Sequence, residues 1–336
     1  MKLQVSHSPH VRDKATTRSI MLDVIIALIP ATLAGWYYFG IRAVLITMIS
    51  VASCIIFEYI SRRIMKRNNT ISDLSAVVTG LLLAMNLPVS LPLYMVVIGA
   101  CFAIVVVKQM FGGLGNNFVN PAIAARIFLV IAFPKAMTSW TVRSGSWFSF
   151  DSADAVSSAT PLTRIHTPEA PSLWKLFIGD KAGCIGEVCI IALLIGALYL
   201  ILRHVIRPWI PVAYIGTFAI LAFLFGKTNV FNFTGDLTVL SGWGDLFHEC
   251  CYMVLSGGLI LGAFFMATDY VTSPLTTKGK FIFGIGCGIL TFLIRYYGNM
   301  AEGVSFSIIL MNILTPHIDN WTMGKPFGEV KENAKV

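Results

Sequence analysis

Charge is scarce in this chain: Asp, Glu, Lys and Arg together make up 12% of its 336 residues, about half the share usual in a soluble domain. That scarcity, with 56% hydrophobic residues and apolar runs recurring along the sequence, excludes a soluble domain on a single anchor. It defines an all-α polytopic membrane protein. A small-residue cleavage site after the first apolar run is also lacking, so no cleaved signal peptide is expected. Seven cysteines are present but no CxxC pair; most sit inside apolar runs and read as small apolar side chains. Cys250–Cys251 beside His248 and Glu249 is the one grouping with ligand-type residues, and no metal site is assigned to it. Missing too is a GxGxxG turn between a strand and a helix, so the chain carries no dinucleotide fingerprint of its own.

What is present is a series of about ten apolar segments. The first five fall near 20–39, 41–60, 74–88, 93–110 and 121–134, and five more near 185–202, 209–225, 247–268, 281–297 and 303–316. Segments three, five and ten are shorter than the ~20 residues of a simple crossing. Pro88, Pro121 and Pro316 stand at their ends, where bent or broken helices are expected. The sequence divides into a segment 1–19, a first membrane repeat 20–135, a polar loop 136–184, a second membrane repeat 185–318 and a tail 319–336.

The net charge of +8 follows orientation, so nucleic acid is not needed to explain it. With the N-terminus in the cytoplasm, the inner loops collect Lys2, Arg12, Lys14, Arg18, Arg62, Arg63, Lys66, Arg67, Lys108, Arg203, Arg207, Lys278 and Lys280, and the tail adds Lys325, Lys331 and Lys335. The short outer loops hold little beyond Arg42, Lys227 and Arg295. Lysine and arginine favour the cytoplasmic side, so both termini are expected there, in a cytoplasmic membrane, with 136–184 outside.

The two membrane regions resemble each other. "GLLLAMNLPVSLP" (Gly80–Pro92) and "GAFFMATDYVTSP" (Gly262–Pro274) carry Gly and Pro at one spacing, 182 residues apart. "LGNNF" from Leu114 finds "YGNMA" from Tyr297 at an offset of 183. Two repeats of five spans each must insert with opposite orientation, because five is odd. Such inverted repeats, with short Gly/Pro-interrupted helices, place sites between the halves near the midplane. The plainer reading is that these glycines let helices approach closely.

Against this apolar background stands "DSADAVSSATPLTRIHTP", Asp151–Pro168. Small Ser, Ala and Thr residues give a chain thin enough to enter another protein's active site, and Pro161 pushes Thr160 toward an extended conformation. An ordinary Ser/Thr loop of turns and caps uses the same residues, and composition does not separate the two readings.

"DAVSSAT" resembles the flavinylation motif D-x-x-[ST]-x-A-[ST], whose last residue carries FMN through a phosphodiester. Together with the "ATPLT" continuation, the ten segments and "GGLGNNFVNPA" (Gly112–Ala122), the chain resembles the D subunits of Rnf ion-translocating ferredoxin:NAD oxidoreductases over essentially its whole length. It is similar also to the B subunit of sodium-translocating NADH:quinone reductase. The resemblance implies that Thr160 is the covalent FMN acceptor, with Asp154, Ser157 and Ala159 in the motif positions and Pro161 following. Ser158 stands where many members have Gly. It further implies a maturing flavin transferase that uses FAD and a divalent metal outside the cytoplasmic membrane, and partner subunits with iron–sulfur and flavin centres. In relatives a second, non-covalent riboflavin occurs, to which the sequence assigns no residue. No residue is read as catalytic in the chain alone.

Coupling electrons to Na⁺ or H⁺ needs charge within the membrane, where ionisable groups are costly and functional by default. Asp23, Glu58, Asp269 and Glu302 lie in or at the edges of segments and are the ion-path candidates; for Asp23 and Asp269, helix-end solvation is the competing reading. The alternative functions are a channel or solute transporter resembling urea-transporter architecture, and a structural scaffold. Both leave "DAVSSAT" idle.

Overall fold

The computed structural model describes residues 15–141, 157–158, 162, 171–179, 181–226, 243–298 and 303–324. Each expected apolar segment contains a helix. The first half runs α1 (Thr17–Phe39), α2 (Ile41–Ile64), α3 (Ser75–Met85), α4 (Leu93–Gln109) and α5 (Pro121–Ala132), followed by the single turn α6 (Pro134–Met137). A two-residue strand β1 (Trp140–Thr141) pairs antiparallel with β2 (Ser157–Ser158), Trp140 opposite Ser158. After the short α7 (Leu173–Ile178), the second half runs α8 (Ile190–Leu202), α9 (Trp209–Phe225), α10 (Trp243–Leu255), α11 (Leu259–Met266), α12 (Thr277–Tyr297) and α13 (Val304–Thr322). Of these, α1, α2 and α12 are each long and apolar enough to cross a membrane alone, and α10 with α11 qualify as one broken span.

Local chemistry sets the starts. Thr16 and Ser19 form a reciprocal capping box on α1, each hydroxyl accepting the other's backbone N–H, which satisfies donors a helix start leaves open. Asn120 caps α5 by accepting from the Ala122 N–H at 3.0 Å, and Pro121 fits the first helical position because no partner is needed for its nitrogen. Thr276 does the same for α12, accepting from Gly279 at 3.0 Å.

The packing pattern recurs between the halves. Helix α2 lies against α4 as α9 lies against α12, and α4 against α5 as α12 against α13. The halves meet along α1–α8 and α5–α13. At the α1–α8 seam, a Cβ on Gly196 would strike the Ala27 carbonyl. Gly80, one of the repeated glycines, sits over α2: a Cβ there would lie 2.8 Å from Val51 Cα, and its carbonyl accepts from Ser50 Oγ at 2.7 Å. For Gly80 the close-approach reading therefore holds alongside the repeat.

Four expectations need correction. The segment expected at 247–268 is not one helix: α10 and α11 meet at 63°, with Gly257 at φ +64° in the turn, a conformation that glycine adopts without steric cost. Pro316 does not end the last segment, which continues to Thr322. Lys108 is not a loop charge; it lies in the π-helical end of α4 and is 2% exposed. Arg295 is not an outer-loop residue either. It belongs to the last turn of α12 and donates to the Met253 carbonyl at 2.7 Å and the Ser256 carbonyl at 3.3 Å. A broken helix exposes carbonyls that hydrocarbon cannot satisfy, and the half-buried guanidinium supplies the missing donors.

Candidate functional site

A cavity of about 820 Å³, counting its open mouth, lies between the two halves, at the end of the bundle where α1 and α3 begin and α8 ends. Its apolar wall includes Ile20, Val24, Val78, Leu82, Phe264 and Phe265. Polar groups converge on it from Ser75, Thr79, Lys108, Asn117, Thr268 and Asp269. An apolar wall with a few polar anchors is the usual composition of a small-molecule site. The repeat pattern points to a site near the midplane; this cavity is between the halves but toward one end.

Behind the wall is a buried ion pair. Lys108 Nζ stands 2.8 Å from Glu58 Oε2, with the two side chains 2% and 0% exposed. The same ammonium donates to Ser75 Oγ at 2.6 Å, whose hydroxyl donates to Asp73 Oδ1 at 2.6 Å. The other carboxylate oxygen, Glu58 Oε1, accepts from Thr70 Oγ1 at 2.8 Å, in the connector between α2 and α3. Two charges out of water are tolerable only when each is paired and hydrogen-bonded, and here both conditions are met. The π-helical turn of α4 carries the sequence "FAIVVVKQ"; such turns often mark functional positions.

The ion-path candidates are not brought together in one place. Glu58 belongs to the pair just described. Asp269 is half-buried, lines the cavity and accepts from Thr272 Oγ1 at 3.2 Å. Asp23 sits on α1 beside lining residues but turns away, accepting from Tyr199 Oη at 2.8 Å and pairing with Arg203 at 3.3 Å on α8 and its cap. Glu302 lies outside the described residues. So do Asp154, Ala159, Thr160 and Pro161; of "DAVSSAT", the backbone of Ser157 and Ser158 is described, as β2. Leu162, two positions beyond Thr160, packs half-buried against the helical core. Among the described residues no group of three or more His, Cys, Asp or Glu side chains could hold a metal ion, and the seven cysteines are unbridged.

Sequence reasoning missed a second buried polar cluster. Arg126 on α5 donates to Asn86 Oδ1 at 2.8 Å and lies 3.7 Å from Glu187 Oε1 and 3.6 Å from Cys184 Sγ. Cys184 in turn donates to the Asn86 carbonyl at 3.2 Å, so this thiol does more than fill space. The signal that would have found Arg126 and Lys108 is a lone cation inside an apolar helix. Asn117 and Asn120 lie within "GGLGNNFVNPA", where the pattern alone points to no role for either. Asn120 Nδ2 also reaches across the halves to the Met266 carbonyl at 3.3 Å.

The fold and the site define a polytopic helical membrane protein of two five-segment halves with a cavity and a buried ion pair between and beside them. The NQR2, RnfD, RnfE family model matches residues 4–328, and the chain belongs to that family. It is 44% identical to the D subunit of the Na(+)-translocating ferredoxin:NAD(+) oxidoreductase complex of Acetobacterium woodii, over 100% of this chain and 99% of that one. To the D subunit of the proton-translocating ferredoxin:NAD(+) oxidoreductase complex of Clostridium ljungdahlii it is 42% identical, over 96% of each. The D subunit of the ion-translocating oxidoreductase complex of Stutzerimonas stutzeri matches at 36% over 94% of this chain and 93% of that one.

Proposed function

We propose that the chain is the D subunit of a redox-driven cation pump linking ferredoxin and NAD, an electron-transfer subunit with FMN attached to Thr160 through a phosphodiester. The observation that carries this reading is the sequence "DAVSSAT" at Asp154–Thr160 in a chain that matches subunits of that name from end to end. The described residues beside it are consistent with that reading: Ser157–Ser158 pair with β1, and Leu162 packs half-buried against the helical core. Asp154, Ser157 and Ala159 would be read by the transferase, with residues 136–184 on the outer face of the cytoplasmic membrane and both termini inside.

The cavity between the halves would hold the non-covalent riboflavin that the resemblance implies, with Phe264, Phe265, Val78 and Leu82 as its apolar contacts and Thr79 and Asn117 as its polar ones. When bound, a flavin supplies one- and two-electron transfer, and the protein tunes its potential. Glu58, Asp269, Asp23 and Glu302 remain the proposed ion-path groups. The first two relatives named above carry different ions in their names, so the transported cation is Na⁺ or H⁺. A solute channel would leave the motif without a role.

The test is flavin fluorescence on a denaturing gel of the chain expressed with its partners and the transferase. Fluorescence is expected to survive SDS in the native protein and to vanish in Thr160→Ala. Its absence from the native chain, in a host that flavinylates a control protein, overturns the assignment.

A further inference from the structure

We propose that the end of α2 and the turn after α4 form a site for a phosphate that also offers a hydroxyl: the headgroup of an anionic phospholipid of the phosphatidylglycerol class. The glycines of "FGGLGNN" have no part in the function proposed above, yet they hold the backbone in one shape. Gly112, Gly113 and Gly115 take positive φ, at +122°, +99° and +92°, a region that glycine enters without steric cost. At Gly115 a Cβ would meet nothing within 4 Å, so glycine serves the backbone there and not packing. At Gly113 the Arg62 guanidinium lies where a Cβ would go, and Gln109 Oε1 is 3.7 Å from the same point.

What points to a ligand is a set of buried polar atoms left over. Arg62 Nε and both amide atoms of Gln109 are buried without a hydrogen-bond partner, and Gln109 is 0% exposed. Such groups cost free energy until something meets them. Arg67 reaches the same place, its Nη1 donating to the Gln109 carbonyl at 3.3 Å. Among the described residues neither arginine pairs with a carboxylate. A phosphate satisfies Arg62 Nε and Gln109 Nε2 together, and guanidinium–phosphate bonds are among the strong ones. Gln109 Oε1 only accepts, so the occupant must donate as well, as the hydroxyl of a glycerol headgroup or of free hydrogen phosphate does. Arginines here have a plainer reading: cytoplasmic loops collect them, and a helix C-terminus favours them. That accounts for the exposed Arg63 and Lys66 but not for a buried Nε beside an unmet amide.

The surroundings favour the lipid over the free ion. Apolar side chains flank the site in the chain and are exposed: Ile64, Met110, Phe111 and Phe118. The rings of Phe111 and Phe118 lie 4.8 Å apart. One turn further into the bundle Ile60 and Val106 are exposed as well. A free ion has no use for such a face, whereas acyl chains cover it and leave the phosphate at the level of the arginines, whose stems lie along apolar surface while their heads reach polar groups. The site is at the end of α2 that the charge pattern assigns to the cytoplasm, and basic pockets between helices on that side suit anionic headgroups.

The experiment uses the purified complex, stripped of lipid in detergent, and three additions: phosphatidylglycerol, phosphatidylcholine and inorganic phosphate. Lipid retained after gel filtration is quantified by mass spectrometry, and a thermal melt reads stabilisation. Phosphatidylglycerol is expected to stay bound and to raise the melting temperature, with phosphatidylcholine well behind. Gln109→Leu removes an amide that has no partner without the lipid, so the stripped variant should melt at or above the native temperature. Its retention of phosphatidylglycerol should fall about tenfold, the loss of one charge-assisted hydrogen bond. Arg62→Lys keeps the charge without Nε and should lose a similar amount. Arg63→Gln, an exposed charge in the same turn, should change retention little. Equal retention of the two lipids by the native complex overturns the proposal. Stabilisation by inorganic phosphate with no preference for phosphatidylglycerol overturns the lipid and leaves a free-phosphate site. A loss in Arg63→Gln as large as in Gln109→Leu overturns the site in favour of diffuse surface charge.

Discussion

The two halves break their helices at comparable places and repair the breaks differently. After α3 the chain passes through turns to Pro92, and its open carbonyls are met largely by backbone and by one arginine. The Gly186 N–H donates to Met85 O at 2.8 Å and Ile185 N–H to Leu87 O at 3.2 Å. Arg42 Nε donates to Val89 O at 2.7 Å. After α10, the carbonyls are met by cations instead: the buried Lys181 Nζ reaches Leu255 O at 2.7 Å, and the half-buried Arg295 reaches Met253 and Ser256. One short stretch, residues 181–187, contributes to both repairs. The lesson is that equivalent helices leave equivalent unsatisfied groups, yet the side chains that answer them are not repeated. In the second half the cations Arg295 and Lys181 close backbone, whereas in the first half Lys108 is held by a carboxylate and borders a cavity.

The largest expected effect breaks that contrast on the first-half side. Lys108→Met strands Glu58, and removing one partner of a buried pair costs on the order of 3–5 kcal/mol. Thermal stability of the detergent-purified complex should drop sharply. In Glu58→Gln/Lys108→Met most of the loss should return, since neutral partners carry no desolvation debt; a double variant as unstable as the single would show that Lys108 packs rather than pairs.

Next comes Arg295→Met. It leaves the Met253 and Ser256 carbonyls without donors in a dry core, and each unmet group costs about 1–3 kcal/mol. The same thermal measurement should therefore show a loss close to that of Lys108→Met, without rescue by any acidic substitution. Arg42→Ala should cost a similar amount, because its guanidinium, half-buried like that of Arg295, donates to the Val89, Ser90 and Leu91 carbonyls.

How much of this is legible in the sequence follows from the same contrast. Helix positions are readable because apolar runs register directly in composition: α1, α2 and α12 fall where the runs fall. The break between α10 and α11 is not, since "VLSGGLIL" remains apolar across it and the turn depends on cations from distant segments. Lys108 and Arg295 read as loop charges because each lies close to a helix end in sequence; only the three-dimensional packing shows that those ends are buried. Glu58 and Asp269 stand out as lone acids in apolar segments, but nothing in the sequence pairs Glu58 with a residue fifty positions away. The "DAVSSAT" pattern, proposed above as the flavin attachment site, is legible because it is a contiguous run of residues.

The smallest effect concerns the seam itself. Asp23 and Arg203 join α1 to α8 at 3.3 Å, with Arg203 largely exposed. An exposed pair gains little, because solvent and salt screen it, and Tyr199 donates to the same carboxylate. Asp23→Asn should leave thermal stability nearly unchanged, since an amide oxygen can still accept from Tyr199. Ion transport per electron, measured in proteoliposomes, then separates the two readings of this residue. An unchanged ratio makes Asp23 a solvated clasp between the halves and removes it from the ion path. A fallen ratio at full stability would put a charged group of the seam on that path, and the cavity mouth beside Ile20 and Val24 would be its entrance.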